Sequence, residues 1–148
     1  MRFRKQIMDI YEIENLPDSI PTGILVLMFK NELAQFKNNE IEKDSFLLIL
    51  SQLTDRQVMA YELLRSDIRN DIDRTLSRVW NTDSYDEVDI ILSIVVNLGL
   101  EICFNKIKES LEQYKDIDKL ILDEIQETID EVGENISNPY YSLENYSE

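Results

Sequence analysis

Ser84-Tyr85-Asp86-Glu87-Val88-Asp89-Ile90-Ile91-Leu92-Ser93-Ile94-Val95-Val96-Asn97-Leu98-Gly99-Leu100-Glu101-Ile102-Cys103-Phe104 is the stretch on which the fold turns. Its first four residues match a capping box: the Ser84 hydroxyl takes the Glu87 backbone N–H while the Glu87 carboxylate reaches back. From Ile90 to Phe104 the chain is then apolar on nearly every side, which marks a central helix contacted by neighbours on most faces. A short run such as Ile90 to Val96 also suits a buried strand, because periodicity does not separate the two. The cap ahead of it, and helical spacing continuing through Ile107 and Leu111, favour one helix from about Tyr85 to Tyr114.

Working outward, Thr54-Asp55-Arg56-Gln57 reads as a second capping box. It opens a long helix with Val58, Tyr61, Leu64, Ile68, Ile72, Leu76 and Val79 on one face, ending near Trp80-Asn81. Before it, Asp44 caps a short helix from Phe46 to Leu53. Thr22 starts another, whose apolar positions Ile24, Leu25, Leu27, Met28, Leu33 and Phe36 recur at helical spacing until Asn38-Asn39. Pro17 and Pro21 bracket a turn. Residues 2–15 fit a helical face through Phe3, Ile7, Ile10 and Tyr11, or a short strand through Tyr11-Glu12-Ile13-Glu14; the helix is favoured. Downstream, a last helix opens at Asp116, carries Ile117, Leu120, Ile121, Ile125, Ile129 and Val132, and closes at Gly133, a suitable residue just past a helix end. The expectation is an all-α, single-domain bundle of five or six helices around a central apolar helix. It spans residues 1–133, with a Tyr-rich C-terminal tail over 134–148.

Composition narrows the chemistry. In 148 residues, 19 Ile, 18 Leu and 7 Val supply a core, so a wholly disordered acidic chain is excluded. With one Cys there is no internal disulfide and no CxxC zinc site; with no His there is no imidazole base and no Ser-His-Asp triad. Cys103 lies in the apolar run and reads as a buried, inert thiol. The fragments Asp71-Ile72-Asp73 and Asp116-Ile117-Asp118 do not continue into a calcium loop. No phosphate-binding Gly-rich loop occurs. The expectation is a protein that is not an enzyme and carries no cofactor and no metal. No signal-peptide pattern and no span-length apolar stretch appear, which fits a cytoplasmic setting.

Charge supplies the functional pointer. The chain holds 30 acidic and 15 basic side chains, a net charge of −15, which repels nucleic acid and anionic membranes and attracts basic proteins. Residues 1–80 carry 11 basic and 13 acidic side chains; residues 81–148 carry 4 and 17. In the first part the spacings Arg69–Asp73, Glu62–Arg65 and Asp71–Arg74 let charges compensate along one helix, which argues against a phosphate site at Arg65, Arg69, Arg74 and Arg78. In the last helix Asp123, Glu124, Glu127, Asp130 and Glu131 share one arc opposite Ile121, Ile125, Ile129 and Val132. Asp123–Glu127 and Glu127–Glu131 are like-charge pairs at i,i+4, and Asp130 and Glu131 occupy the final turn, where the helix dipole prefers cations. With only Lys115 and Lys119 nearby, a stripe that opposes both local rules suits a site for a basic partner, the alternative being an ordinary exposed helix in an acidic protein. Asp83, Asp86 and Asp89 would extend it; Tyr140, Tyr141 and Tyr146 of the tail suit an Arg-rich surface, the alternative being a tail that folds Tyr140 or Leu143 back onto the core.

Size, acidity and the stretch Tyr85-Asp86-Glu87-Val88-Asp89-Ile90-Ile91-Leu92 with its acidic flanks together resemble the small, acidic, helical immunity proteins of bacterial toxin–immunity pairs, including those of contact-dependent growth inhibition. The resemblance implies a protein that binds a cognate toxin, often a basic nuclease, and covers its active site or substrate groove. Two other readings stand beside it: a nucleic-acid mimic inhibiting a DNA- or RNA-binding protein, which uses the same charges, and a self-associating helical scaffold whose partner is itself.

Overall fold

The computed structural model describes residues 10–113 and 116–137, and among them there are seven helices and no strand. They are α1 (Ile10–Glu14), α2 (Thr22–Lys37), α3 (Lys43–Met59), α4 (Ser66–Val79), α5 (Tyr85–Leu98), α6 (Glu101–Gln113) and α7 (Lys119–Val132). The chain is therefore all-α. Its six helices longer than one or two turns agree with the expected five or six, but two of the expected long helices are broken. One hydrophobic core runs through the molecule, with Phe29, Phe46 and Phe104 fully buried and α5 contributing Val88, Ile91, Leu92, Ile94, Val95 and Leu98. The α5 helix packs against α3, α4, α6 and α7, while α4 and α7 do not touch.

The first break replaces the capping box expected at Thr54. That residue sits inside α3, and its hydroxyl donates to the Leu50 carbonyl at 2.7 Å. The chain turns only after Met59, where Tyr61 takes a left-handed φ of 53° and is exposed rather than on the buried face. The Gln57 side-chain amide donates to the Glu62 carbonyl at 2.8 Å and stabilises the turn. With neither Gly nor Pro at 60–65, nothing local marks this turn; it forms because Leu64 and Ile68 re-enter the core from a new direction. The second break is at Gly99, whose φ of 71° ends α5 and separates off α6. A left-handed residue costs glycine little, which is why the apolar run can bend there.

Asp73 of α4 holds the start of α6 in place. Its carboxylate accepts the backbone N–H of Ile102 at 3.0 Å and of Cys103 at 2.7 Å, occupying two donors that every helix start leaves unpaired. Further along, the Trp80 indole donates to the Ser110 hydroxyl at 3.3 Å, so α4 and α6 run in parallel. The α3 and α5 helices are parallel too: Lys43 pairs with Glu87 at 2.8 Å near their N-termini, and Met59 and Asn97 line one groove near their C-termini. Arg56, almost wholly buried, ties α1 and the chain following it to α3, donating to the carbonyls of Ile13, Leu16 and Pro17 at 3.0–3.3 Å.

Other local expectations meet mixed outcomes. Ser84 caps α5 by accepting the Glu87 N–H at 3.4 Å, and Gly133 follows α7 with a φ of 58°. The last helix opens at Lys119 rather than Asp116, because the Asp118 side chain takes the Leu120 N–H at 2.9 Å. Residues 10–14 are helical, the favoured alternative, while residues 2–9 of the same expectation, with Phe3 and Ile7, lie outside the described residues. Thr22 is the first helical residue and Pro21 precedes it, with no side-chain cap; Asp44 lies in the first turn of α3 behind Glu42. Tyr140, Tyr141 and Tyr146 lie outside the described residues. No described helix is long and apolar enough to cross a membrane.

Candidate functional site

The acidic arc of α7 forms as its pattern requires. Ile121 and Ile125 are buried, Ile129 and Val132 pack partly against the core, and Asp123, Glu127, Asp130 and Glu131 point to solvent. Glu124, at the edge of the arc, is half-buried against α5. There the Tyr85 hydroxyl donates to its Oε2 at 3.3 Å, and the Asp89 carboxylate lies within hydrogen-bond reach of its carboxyl group. The structure thus joins the two groups of candidate residues through one contact between α5 and α7.

The electrostatics there are adverse. Partial desolvation, the hydrogen bond with Asp89 and the charge of Asp89 raise Glu124 above the usual carboxylate range, against the pull of the Tyr85 hydroxyl. Tyr85 is raised in turn, first by the charge of Glu124 and then by desolvation and by Asp89. Negative charge held close to negative charge leads the shift at Tyr85 and adds to desolvation at Glu124. No Lys or Arg among the described residues forms an ion pair with Asp89, Glu124 or Glu127.

Beside this contact the N-terminal turns of α3 and α5 border a groove of about 540 Å³. Asp86 and Asp89 line it with Asp44 and Glu87, over an apolar floor of Leu47, Leu48 and Ile90. Glu87 is a structural member: burial works to raise it, but the Lys43 ammonium and the Asn81 amide at 2.7 Å outweigh that and hold it below the usual range. Asp44 and Asp86 lie in first turns, where the helix dipole favours a carboxylate. Asp89 has no such compensation. Asp83 is exposed in the turn before α5, its N–H donating to the Asn81 side chain at 3.0 Å, and Asp130 accepts from Gln126 at 3.1 Å.

Two members of this face escape a reading by charge. Leu120, one turn before Glu124, is 69 % exposed, and Tyr85 is 43 % exposed. They place apolar surface within the acidic arc, the mixture found where a charged face also carries anchors for a partner. The i,i+4 spacing of Tyr85 and Asp89 was visible in the sequence; the approach of Glu124 to both was not.

Cys103 is fully buried, and burial pushes its thiol up to about 12, so it stays protonated at neutral pH. Among the described residues no three His, Cys, Asp or Glu side chains are placed to hold a metal ion. No family model, curated protein or solved structure matches the chain significantly.

Proposed function

We propose that the chain is an acidic binding protein that neutralises a basic partner, a cognate toxin of nuclease type, by covering its active site or substrate groove. The observation that carries this reading is the meeting of Asp89 and Glu124, 35 positions apart, with Glu127 beside them and no Lys or Arg among the described residues paired with any of the three. Packing of Ile121 and Ile125 holds these like charges together, at a cost that a Lys or Arg from a partner would relieve. Leu120 and Tyr85 give that partner apolar contact, and the exposed carboxylates of Asp123, Glu127, Asp130 and Glu131 steer its approach. Binding of a cation beside Glu124 favours its ionised form, so association strengthens as pH rises through the raised Glu124 range.

The test begins with the protein encoded by the neighbouring reading frame, purified and mixed with this chain. Replacing Asp123, Glu127, Asp130 and Glu131 together by Lys is expected to slow association by about 10- to 100-fold and flatten its dependence on salt. An association rate and salt slope equal to those of the unaltered chain remove α7 from the interface.

A further inference from the structure

We propose that the groove between the end of α2 and the outer face of α4 is a binding site for a small phosphomonoester. It rests on charges that the tertiary structure has separated from their sequence neighbours. Along α4, Asp71 and Asp73 stand at the right spacing to neutralise Arg74 and Arg69. Neither does so by direct contact. Asp73 turns inward, nearly fully buried, with both oxygens given to the N–H groups that start α6. Asp71 reaches across to α2 and pairs with Lys37 at 2.5 Å. Arg74 is left exposed with no hydrogen bond or ion pair among the described residues, and Arg78 touches only the Thr75 hydroxyl, at 3.5 Å. Arg65, by contrast, is held by both oxygens of Asp67 at 2.6 and 2.9 Å.

Arg74 and Arg78 are four residues apart on one helix face, and both line a groove of about 510 Å³ together with Lys37. That volume lies within the roughly 300–1,000 Å³ of small-molecule sites. The lining has three cations and one carboxylate, in a chain whose net charge is −15. Lys37 and Arg78 each end a helix, where the dipole alone accounts for a cation. Arg74 stands mid-helix and has no such account. Two guanidinium forks on one face suit the tetrahedral oxygens of a phosphate group, each able to donate two parallel hydrogen bonds. Phe36 and Val79 supply the apolar part of the lining; one face of Phe36 is stacked on Phe46 with centroids 4.2 Å apart, which fixes the ring. Phosphate at the arginines would leave an organic ester group against Phe36 and Val79. The acidic arc of α7 is not the natural occupant, since α4 and α7 are not in contact.

The test follows the Arg Nε–H resonances of the full chain by NMR, titrating phenyl phosphate, inorganic phosphate or sodium chloride at matched ionic strength. The expected result is a saturable shift at Arg74 and Arg78 but not at Arg65. Phenyl phosphate should bind more tightly than inorganic phosphate, and each of Arg74→Gln and Arg78→Gln should weaken it by about tenfold or more. The site is overturned if sodium chloride reproduces the shifts, if Arg65 moves equally, or if the double variant Arg74→Gln/Arg78→Gln still saturates at the same concentration. Equal binding of phenyl and inorganic phosphate overturns the phosphomonoester assignment.

Discussion

Glu32 is the buried acid whose replacement should change stability most clearly. It lies on the inner side of α2 between Phe29 and Leu33, is 2 % exposed, and its Oε2 has no hydrogen-bond partner among the described residues. Burial alone pushes its carboxyl up to about 7. In the unfolded chain the same group titrates near its ordinary value of 4.5. Between those values the folded protein holds a proton that the unfolded chain has released, so stability is fully present below about 4.5 and falls as pH rises toward 7. The slope approaches about 1.4 kcal/mol per pH unit, and the whole effect is on the order of 3 kcal/mol above pH 7. Glu32→Gln keeps the shape and removes the titration. Urea unfolding of both proteins from pH 4.5 to 8.5 isolates Glu32 in the difference between the two curves. The variant is expected to be similar to the parent at pH 4.5 and to gain on it steadily, becoming more stable by roughly 2–4 kcal/mol at pH 8. Curves that stay parallel across this range would refute the reasoning, because they would show Glu32 ionising alike in both states.

Asp73→Ala removes the acceptor for two N–H groups at the start of α6, one of them on buried Cys103, and should cost about 2–4 kcal/mol. Hydrogen exchange should quicken at Ile102 and Cys103 before the rest of the core. Arg56→Met should cost about 3–5 kcal/mol, since it orphans the carbonyls of Ile13, Leu16 and Pro17, and denaturant midpoints would register it. Asp89→Asn removes one of the charges raising Tyr85, so ultraviolet titration of the phenol should move down toward its ordinary value. An unchanged Tyr85 curve would mean that Asp89 is not part of the α5–α7 cluster.

Features that depend on a few adjacent residues were legible. The Ser84 cap is a hydroxyl beside an N–H three residues away, and the Gly133 stop needs only a residue tolerant of positive φ. The arc of α7 follows from 3.6 residues per turn and one buried isoleucine face. The two helix breaks were not legible, for different reasons. At 60–65 the apolar period continues through the turn, so Leu64 and Ile68 look like one more face of the same helix although they approach the core anew. At Gly99 the residue that bends the chain is plain to see, but apolar residues on both sides give no sign that a carboxylate 26 positions earlier in the chain will cap the second half. Arg56 and Gln57, read as parts of a cap, are instead buried groups serving carbonyls elsewhere.

The sequence alone determined the helical class, the crowding of negative charge after Trp80 and the acidic face of the last helix. Those properties are set by hydrophobic period and composition, which act over a turn or two of chain. The tertiary structure alone decided which charges meet. It set Glu124 against Asp89, gave Asp73 to α6 and Asp71 to Lys37, and so left Arg74 and Arg78 without a carboxylate partner among the described residues. Helical spacing offers each charge a neighbour three or four residues away at a few tenths of a kcal/mol. An unpaired buried N–H costs about 1–3 kcal/mol, so where packing requires a side chain to satisfy one, the local partner is abandoned.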